Sequence, residues 1–127
     1  MKILLVEDDT YLVRMYQKVL ELEGFEVLVA QDGEFGVKQA ETGKPDLVLL
    51  DIMLPKMSGY QVLDALRSKE TTKNLPVLVL TNLASSEDIN LATAKGANRV
   101  VVKSQNDPMQ VAAIVKEYLA QMGKTAV

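Results

Sequence analysis

Five short apolar runs punctuate the chain: Ile3 to Val6, Val27 to Ala30, Leu47 to Leu50, Val77 to Leu80 and Val100 to Val102. They are rich in Val, Leu and Ile without polar alternation, the pattern of strands buried on both faces. Between them the spacing changes. Leu12, Met15, Tyr16, Val19 and Leu20 recur at i, i+3, i+4, i+7 and i+8, which predicts a first helix with one apolar stripe, stopped at Gly24. Ser58 with Gln61 and Ser85 with Asp88 have capping-box spacing, and Asp107 before Pro108 suits an N-cap and first helical position. The last helix is then expected to bury Val111, Val115, Tyr118, Leu119 and Met122. Gly43 and Gly96 mark the stops of the second and fourth helices, the second (Gly33 to Glu41) carrying only a thin stripe. The order reads as strand then helix, five times over. Short connections and right-handed crossovers then favour an α/β fold, a parallel sheet with helices on both faces.

Length and charge narrow this picture. A chain of 127 residues has room for a single domain, expected over residues 1–127. Fourteen Lys and Arg against 17 Asp and Glu give a net charge of −3, so there is no broad electrostatic reason to bind nucleic acid or an anionic membrane. Cysteine and histidine are both absent, which removes disulfides, thiolate or imidazole metal sites, and Ser-His or Cys-His nucleophiles. No apolar run is long enough to cross a bilayer, and MKILLVEDD turns acidic where a signal peptide would stay apolar, so a cytoplasmic location is expected. The methionines, Tyr16 and Tyr118, and Phe25 and Phe35 read as packing residues. The stretch Gly36 to Lys44 has phosphate-loop residues at the wrong spacing, leading from helix to strand, and is rejected as a nucleotide site.

The chemistry lies in what ends the strands: Glu7 and Asp8 after the first, Asp51 after the third, Thr81 after the fourth and Lys103 after the fifth. In an open parallel sheet, ligands bind outside the carboxyl ends of the strands where the strand order reverses. With a strand order of 2-1-3-4-5 that crevice lies between the first and third strands, where Glu7, Asp8 and Asp51 meet. Three carboxylates in one crevice need a cation, Lys103, or a proton as compensation. An oxygen-only set suits Mg²⁺, a hard ion that needs neither His nor Cys. A metal, a Lys ammonium and a Thr hydroxyl around one carboxylate are the parts that stabilise a transferring phosphoryl group, with Asp51 as nucleophile forming an acyl phosphate. Asp9 reads as the cap of the first helix rather than as a ligand.

Taken in order, ILLVEDD, PDLVLLDIMLPKMSGYQVL, PVLVLT, KGAN and the lysine of VVVKS resemble the receiver domains of bacterial two-component response regulators over essentially the whole chain. The resemblance implies a flavodoxin-like sheet of order 2-1-3-4-5. It implies Asp51 as phosphoacceptor, Glu7 and Asp8 as the acidic pair, the Met53 backbone carbonyl as a further magnesium ligand, Thr81 as switch hydroxyl, and Lys103 as partner of the Asp51 carboxylate and then of its phosphoryl group. Pro55 and Gly59 fall where the family shapes the loop after the phosphorylation site. Also implied are a sensor histidine kinase or phosphotransfer protein as donor, a downstream target or fused output domain as recipient, and no turnover of an external substrate.

Some positions depart from the family pattern. Val100 stands where many receivers place a Tyr or Phe that swings inward, so a threonine-to-aromatic relay cannot run through it. Ser104 replaces the usual Pro after the lysine, and Ser58 and Asn82 replace a common Asp and Ala. Met53 and Leu83 flank the entry path of a hydrolytic water and neither orients water well, which predicts slow self-dephosphorylation. Two other classes stay open: a phosphate-insensitive interaction domain, favoured by Val100 and Ser104, and an Asp-nucleophile phosphatase of the haloacid-dehalogenase type, disfavoured by Met53 where that family has a second Asp.

Overall fold

The structure, a computed structural model, describes residues 1–123. Strands and helices alternate: β1 Lys2–Val6, α1 Thr10–Leu22, β2 Glu26–Ala30, α2 Gly33–Thr42, β3 Leu47–Leu50, α3 Gly59–Arg67, β4 Val77–Thr81, α4 Ser86–Ala94, β5 Arg99–Val102 and α5 Pro108–Gln121. All five strands lie parallel in one sheet of order β2-β1-β3-β4-β5. Strand order and layers agree with the sequence reading.

Period-two alternation divides the strand residues between two cores. Ile3 and Leu5 of β1, Leu47 and Leu49 of β3, Leu78 and Leu80 of β4 and Val101 of β5 face one layer, where α1 contributes Val13, Tyr16 and Leu20, and α5 contributes Val111, Val115 and Leu119. Leu4, Val6, Val48, Leu50, Val77 and Val79 face the other, packing against Ala40 of α2, Val62, Leu63 and Leu66 of α3, and Ala92 of α4. Each such leucine, fully buried, contributes about 1.5 to 3 kcal/mol.

The helix starts follow the expected capping chemistry. Asp9 accepts a hydrogen bond from the Leu12 amide at 3.1 Å, and both Ser58–Gln61 and Asp107–Gln110 form complete capping boxes. At Ser85 only half the box forms. The shorter Asp88 side chain accepts from the Ser85 hydroxyl at 2.7 Å instead of reaching back to the cap amide. Gly24 and Gly96 take the left-handed φ values, +93° and +105°, that a helix stop favours. After α2 that conformation falls on Lys44 instead, with Gly43 still right-handed as the C-cap.

Burial corrects several expectations. The central strands β1, β3 and β4 are sealed on both faces, but Val27, Leu28 and Val29 on the edge strand β2 and Val100 on the edge strand β5 are half-buried. An edge strand has one neighbour, so its side chains meet fewer covering atoms. Met122 caps α5 and is 45% exposed instead of buried, because the helix has by then run past the sheet. Phe25 and Tyr16 are core residues, while Phe35, Met15, Met53 and Met109 stand exposed.

One anchor left no signature in the sequence. At the end of α3, the Arg67 guanidinium donates to the carbonyls of Gly96, Thr72, Lys73 and Leu75 and to the Asn98 side-chain oxygen, at 2.8 to 3.2 Å. It ties the turn before β5 to the loop before β4, at the edge opposite the strand-end acids.

Candidate functional site

The same alternation explains why the site residues meet. Glu7, Asp51 and Lys103 each follow the last residue of their strand and share the parity of Leu5, Leu49 and Val101, so all three lean toward the α1/α5 layer. The paired strand ends, Val6 with Leu50 and Thr81 with Val102, bring these positions to one edge of the sheet. The backbone holds them there: the Glu7 amide donates to the Ala30 carbonyl and the Asp51 amide to the Val6 carbonyl, each at 3.0 Å.

There the Lys103 ammonium donates to both carboxylate oxygens of Glu7, at 3.0 and 2.9 Å, and to Oδ2 of Asp51 at 3.0 Å. Pairing with Asp51 is as the resemblance implied; the bidentate grip on Glu7 is an addition. Asp51 Oδ1 accepts a long 3.4 Å hydrogen bond from the Met53 amide. The Thr81 hydroxyl accepts from the Leu83 amide at 3.1 Å, so its own proton is free to be donated elsewhere. Lys103 opens a single 3₁₀ turn, Lys103–Gln105, which carries the chain past Ser104. Glu7 (1% exposed), Asp51 (6%) and Thr81 (2%) are buried, whereas Asp8 is exposed. Glu7, Asp8, Asp51 and Lys103 line an open cleft of about 790 Å³ with Met53, Leu83 and Tyr60 at its rim, and Thr81 lines a smaller adjoining pocket with Asp51 and Lys103. Tyr60, on α3, was missed by the sequence reading. Its hydroxyl lies 3.5 Å from both the backbone carbonyl and the carboxylate of Asp88 on α4.

Charge accounts for the electrostatics. Burial, reinforced by the neighbouring Asp51 and partly offset by Lys103, holds the Glu7 carboxyl up at about 7. For Lys103, burial alone would lower the pKa, but the hydrogen bonds to Glu7 and Asp51 outweigh it and the ammonium is held above its ordinary value. The acidic side chains of Glu7, Asp8 and Asp51 outnumber the Lys103 ammonium three to one, an imbalance that a divalent cation would reduce. Glu7, Asp8 and Asp51 each bring an oxygen within 4.8 Å of the others. This all-oxygen donor set, open to solvent on the Asp8 side, fits a hard ion such as Mg²⁺. The beginning of the next loop is shaped for close approach: a Cβ on Gly59 would stand 2.4 Å from the Asp51 carbonyl oxygen and 2.6 Å from the Ile52 Cα. That explains the glycine there.

Comparison with known proteins places this geometry. The PhoP transcriptional regulatory protein of alkaline phosphatase synthesis from Bacillus subtilis (strain 168) is 41% identical over 118 residues, covering 93% of this chain and 48% of the relative. The chain thus spans about half the length of the curated relatives it matches. Among solved structures, a CheY-like response regulator receiver domain protein from Methanospirillum hungatei JF-1 superposes with a TM-score of 0.85 at 29% identity, covering 96% of this chain and 95% of that one. The receiver domain of a sensor histidine kinase from Pseudomonas aeruginosa PAO1, solved with a magnesium ion coordinated in its active site cleft, gives a TM-score of 0.84 at 27% identity, covering 94% of this chain and 97% of that one. With residues 3–116 matching the response regulator receiver domain, on a sheet of the order expected for a CheY-like fold, this chain belongs to the response regulator receiver family of two-component systems.

Proposed function

We propose that this chain is a phosphorylation-operated switch, in which Asp51 accepts a phosphoryl group from the phosphohistidine of a partner kinase or phosphotransfer protein, or from a small phosphodonor. The observation that carries this reading is the state of the Asp51 carboxylate. Asp51 lines the cleft; its Oδ2 is held by Lys103 at 3.0 Å, while Oδ1 has one long contact, to the Met53 amide, among the described residues. Oδ1 is therefore the attacking atom. An O–P bond forms as the P–N bond breaks, and the electron pair leaves on the imidazole nitrogen, which takes a proton from water. Glu7, Asp8, Asp51 and the Met53 backbone carbonyl would hold Mg²⁺, which when bound would supply positive charge for the phosphoryl oxygens. Lys103 passes from the Asp51 carboxylate to the phosphoryl group, where its ammonium balances the negative charge of the phosphoryl oxygens.

The Thr81 hydroxyl then donates to a phosphoryl oxygen. Because it also accepts from the Leu83 amide, its movement draws the loop ahead of α4 with it, shifting a pre-existing equilibrium between surface conformations. Val100 offers no ring to follow, so the readout passes through backbone and helix position. The cycle ends in hydrolysis of the aspartyl phosphate, with no external substrate turned over. The lack of histidine keeps this chain from acting as the donor. We further propose one receiver domain over residues 1–127 working in the cytoplasm; no helix among the described residues is long and apolar enough to cross a membrane. It acts on a downstream protein or on a fused output domain, to which any DNA contact belongs.

The test uses beryllofluoride, which adds to a carboxylate as a phosphoryl mimic. With Mg²⁺, it is expected to shift the amide resonances of Thr81 to Asp88 in the wild type and to leave Asp51→Asn unchanged. A wild type that binds Mg²⁺ yet shows no shift would favour the phosphate-insensitive interaction domain, the reading to which Val100 and Ser104 lend weight.

A further inference from the structure

We infer that Gly33, the first residue of α2, is a positioning residue for the magnesium ligands: it seats the loop after Asp51 and thereby fixes where the Met53 carbonyl stands. The inference rests on the magnesium reading above and extends it to a residue that does not line the cleft.

A Cβ on Gly33 would lie 2.4 Å from the Met57 carbonyl oxygen, 2.7 Å from the Met57 Cβ and 2.9 Å from a Val62 methyl. The first two atoms sit at or beside the loop backbone and cannot swing aside as a side-chain tip would. Conformation does not demand glycine here, since Gly33 is absent from the left-handed residues and opens a helix. What the position lacks is space.

The elbow it belongs to is firm. Asp32 caps α2 by accepting from the Phe35 amide at 2.7 Å and lies 3.8 Å from the Lys56 ammonium, while the Gly33 amide donates to the Pro55 carbonyl at 3.4 Å. Opposite it, residues 55–57 make a tight turn, closed by the Met57 amide on the Pro55 carbonyl at 2.8 Å around a left-handed Lys56 with φ of 67°. The far end of this segment is already fixed, because the Gly59 amide donates to the Ile52 carbonyl at 2.8 Å.

With both ends held, a methyl group at position 33 drives the turn outward, toward exposed Met53, Pro55 and Lys56. Moving the Met57 oxygen from 2.4 Å to the 3.0 Å that real Cβ atoms require is a displacement of about 0.6 Å. Met53 lies in the same loop, two residues before that turn and next to Ile52. Magnesium tolerates little of this, since its oxygen ligands stand at about 2.0 to 2.1 Å in near-ideal octahedral geometry.

The experiment compares the wild type, Gly33→Ala and Gly43→Ala. The last adds a methyl at the other end of the same helix, 2.6 Å from a Leu28 methyl and 2.8 Å from the Gln39 carbonyl oxygen, away from the loop. Mg²⁺ affinity is measured by titration calorimetry, stability by urea unfolding in EDTA, and amide exchange at Met57 and Gly59 without metal. Gly33→Ala is expected to weaken Mg²⁺ binding about tenfold and to speed exchange at both amides, with phosphorylation by acetyl phosphate recovering at saturating Mg²⁺. Gly43→Ala should lose stability with its Mg²⁺ affinity intact. A Gly33→Ala affinity within about twofold of the wild type, or an equal loss in Gly43→Ala, overturns the inference while the magnesium reading stands. A wild type that binds no Mg²⁺ sinks both. Should Gly33→Ala fold poorly, trimethylamine N-oxide restores the folded state and the same comparison is made in it.

Discussion

Glu7 is a carboxylate at a price in stability, and the effect is measurable through pH. Its pKa stands at about 7 in the folded protein against an ordinary 4.5. Between these values the folded state keeps a proton that the unfolded chain has released, so stability falls as pH rises through the window. The term is fully favourable below pH 4.5 and is lost above 7. At about 1.4 kcal/mol per pH unit, a shift of about 2.5 units corresponds to roughly 3 kcal/mol. Glu7→Gln cannot titrate, and Lys103 keeps the Asp51 carboxylate as a partner. Urea unfolding in EDTA, followed by far-ultraviolet circular dichroism, should therefore show the unfolding free energy of Glu7→Gln gaining on that of the wild type as pH rises. The gain between pH 4.5 and 8 should be about 3 kcal/mol, and taking the difference between the two proteins cancels the titrating groups that do not touch Glu7. A difference that is flat, or that falls with pH, would refute the reasoning, because burial would then not be forcing a proton onto Glu7.

Other consequences follow from the same geometry. Arg67→Lys keeps the charge but replaces a five-donor fork with three donors at one point, leaving carbonyls of the β4 and β5 approaches without partners. We expect a loss of roughly 2 to 3 kcal/mol by urea unfolding, with the Mg²⁺ affinity unchanged. Phosphoryl loss after donor removal should be slow in the wild type, since Met53 and Leu83 cannot orient water. Met53→Asn with Leu83→Glu should shorten the lifetime several-fold, and equal lifetimes would show that these positions do not govern water entry.

Much of this was legible in the sequence, for identifiable reasons. Buried parallel strands need continuous apolar runs, so β1, β3 and β4 announce themselves, and their C-terminal residues Glu7, Asp51 and Thr81 follow at once. Parity then carries Glu7, Asp51 and Lys103 to one side. Burial of β2 and of Met122 was misread because exposure depends on what lies alongside, which a local pattern does not record. Glu7 as a second holder of Lys103 was hidden for a related reason: the choice among three nearby acids is set by ångström-scale placement. Arg67 and Gly33 act on backbone carbonyls, which every residue possesses, so no side-chain motif marks their partners. Tyr60 reached the cleft rim unnoticed because one aromatic at the start of a helix is indistinguishable from packing.

Whether Asp51 accepts the phosphoryl group, with its acidic neighbours recruiting Mg²⁺, can be read from intact mass after incubation with acetyl phosphate. Wild type and Asp51→Asn are compared, each with Mg²⁺ and with EDTA. A single phosphoryl group should be gained by the wild type with Mg²⁺ and by none of the other three samples. A gain that persists in Asp51→Asn, or no gain in a folded wild type that binds Mg²⁺, would contradict that role for Asp51.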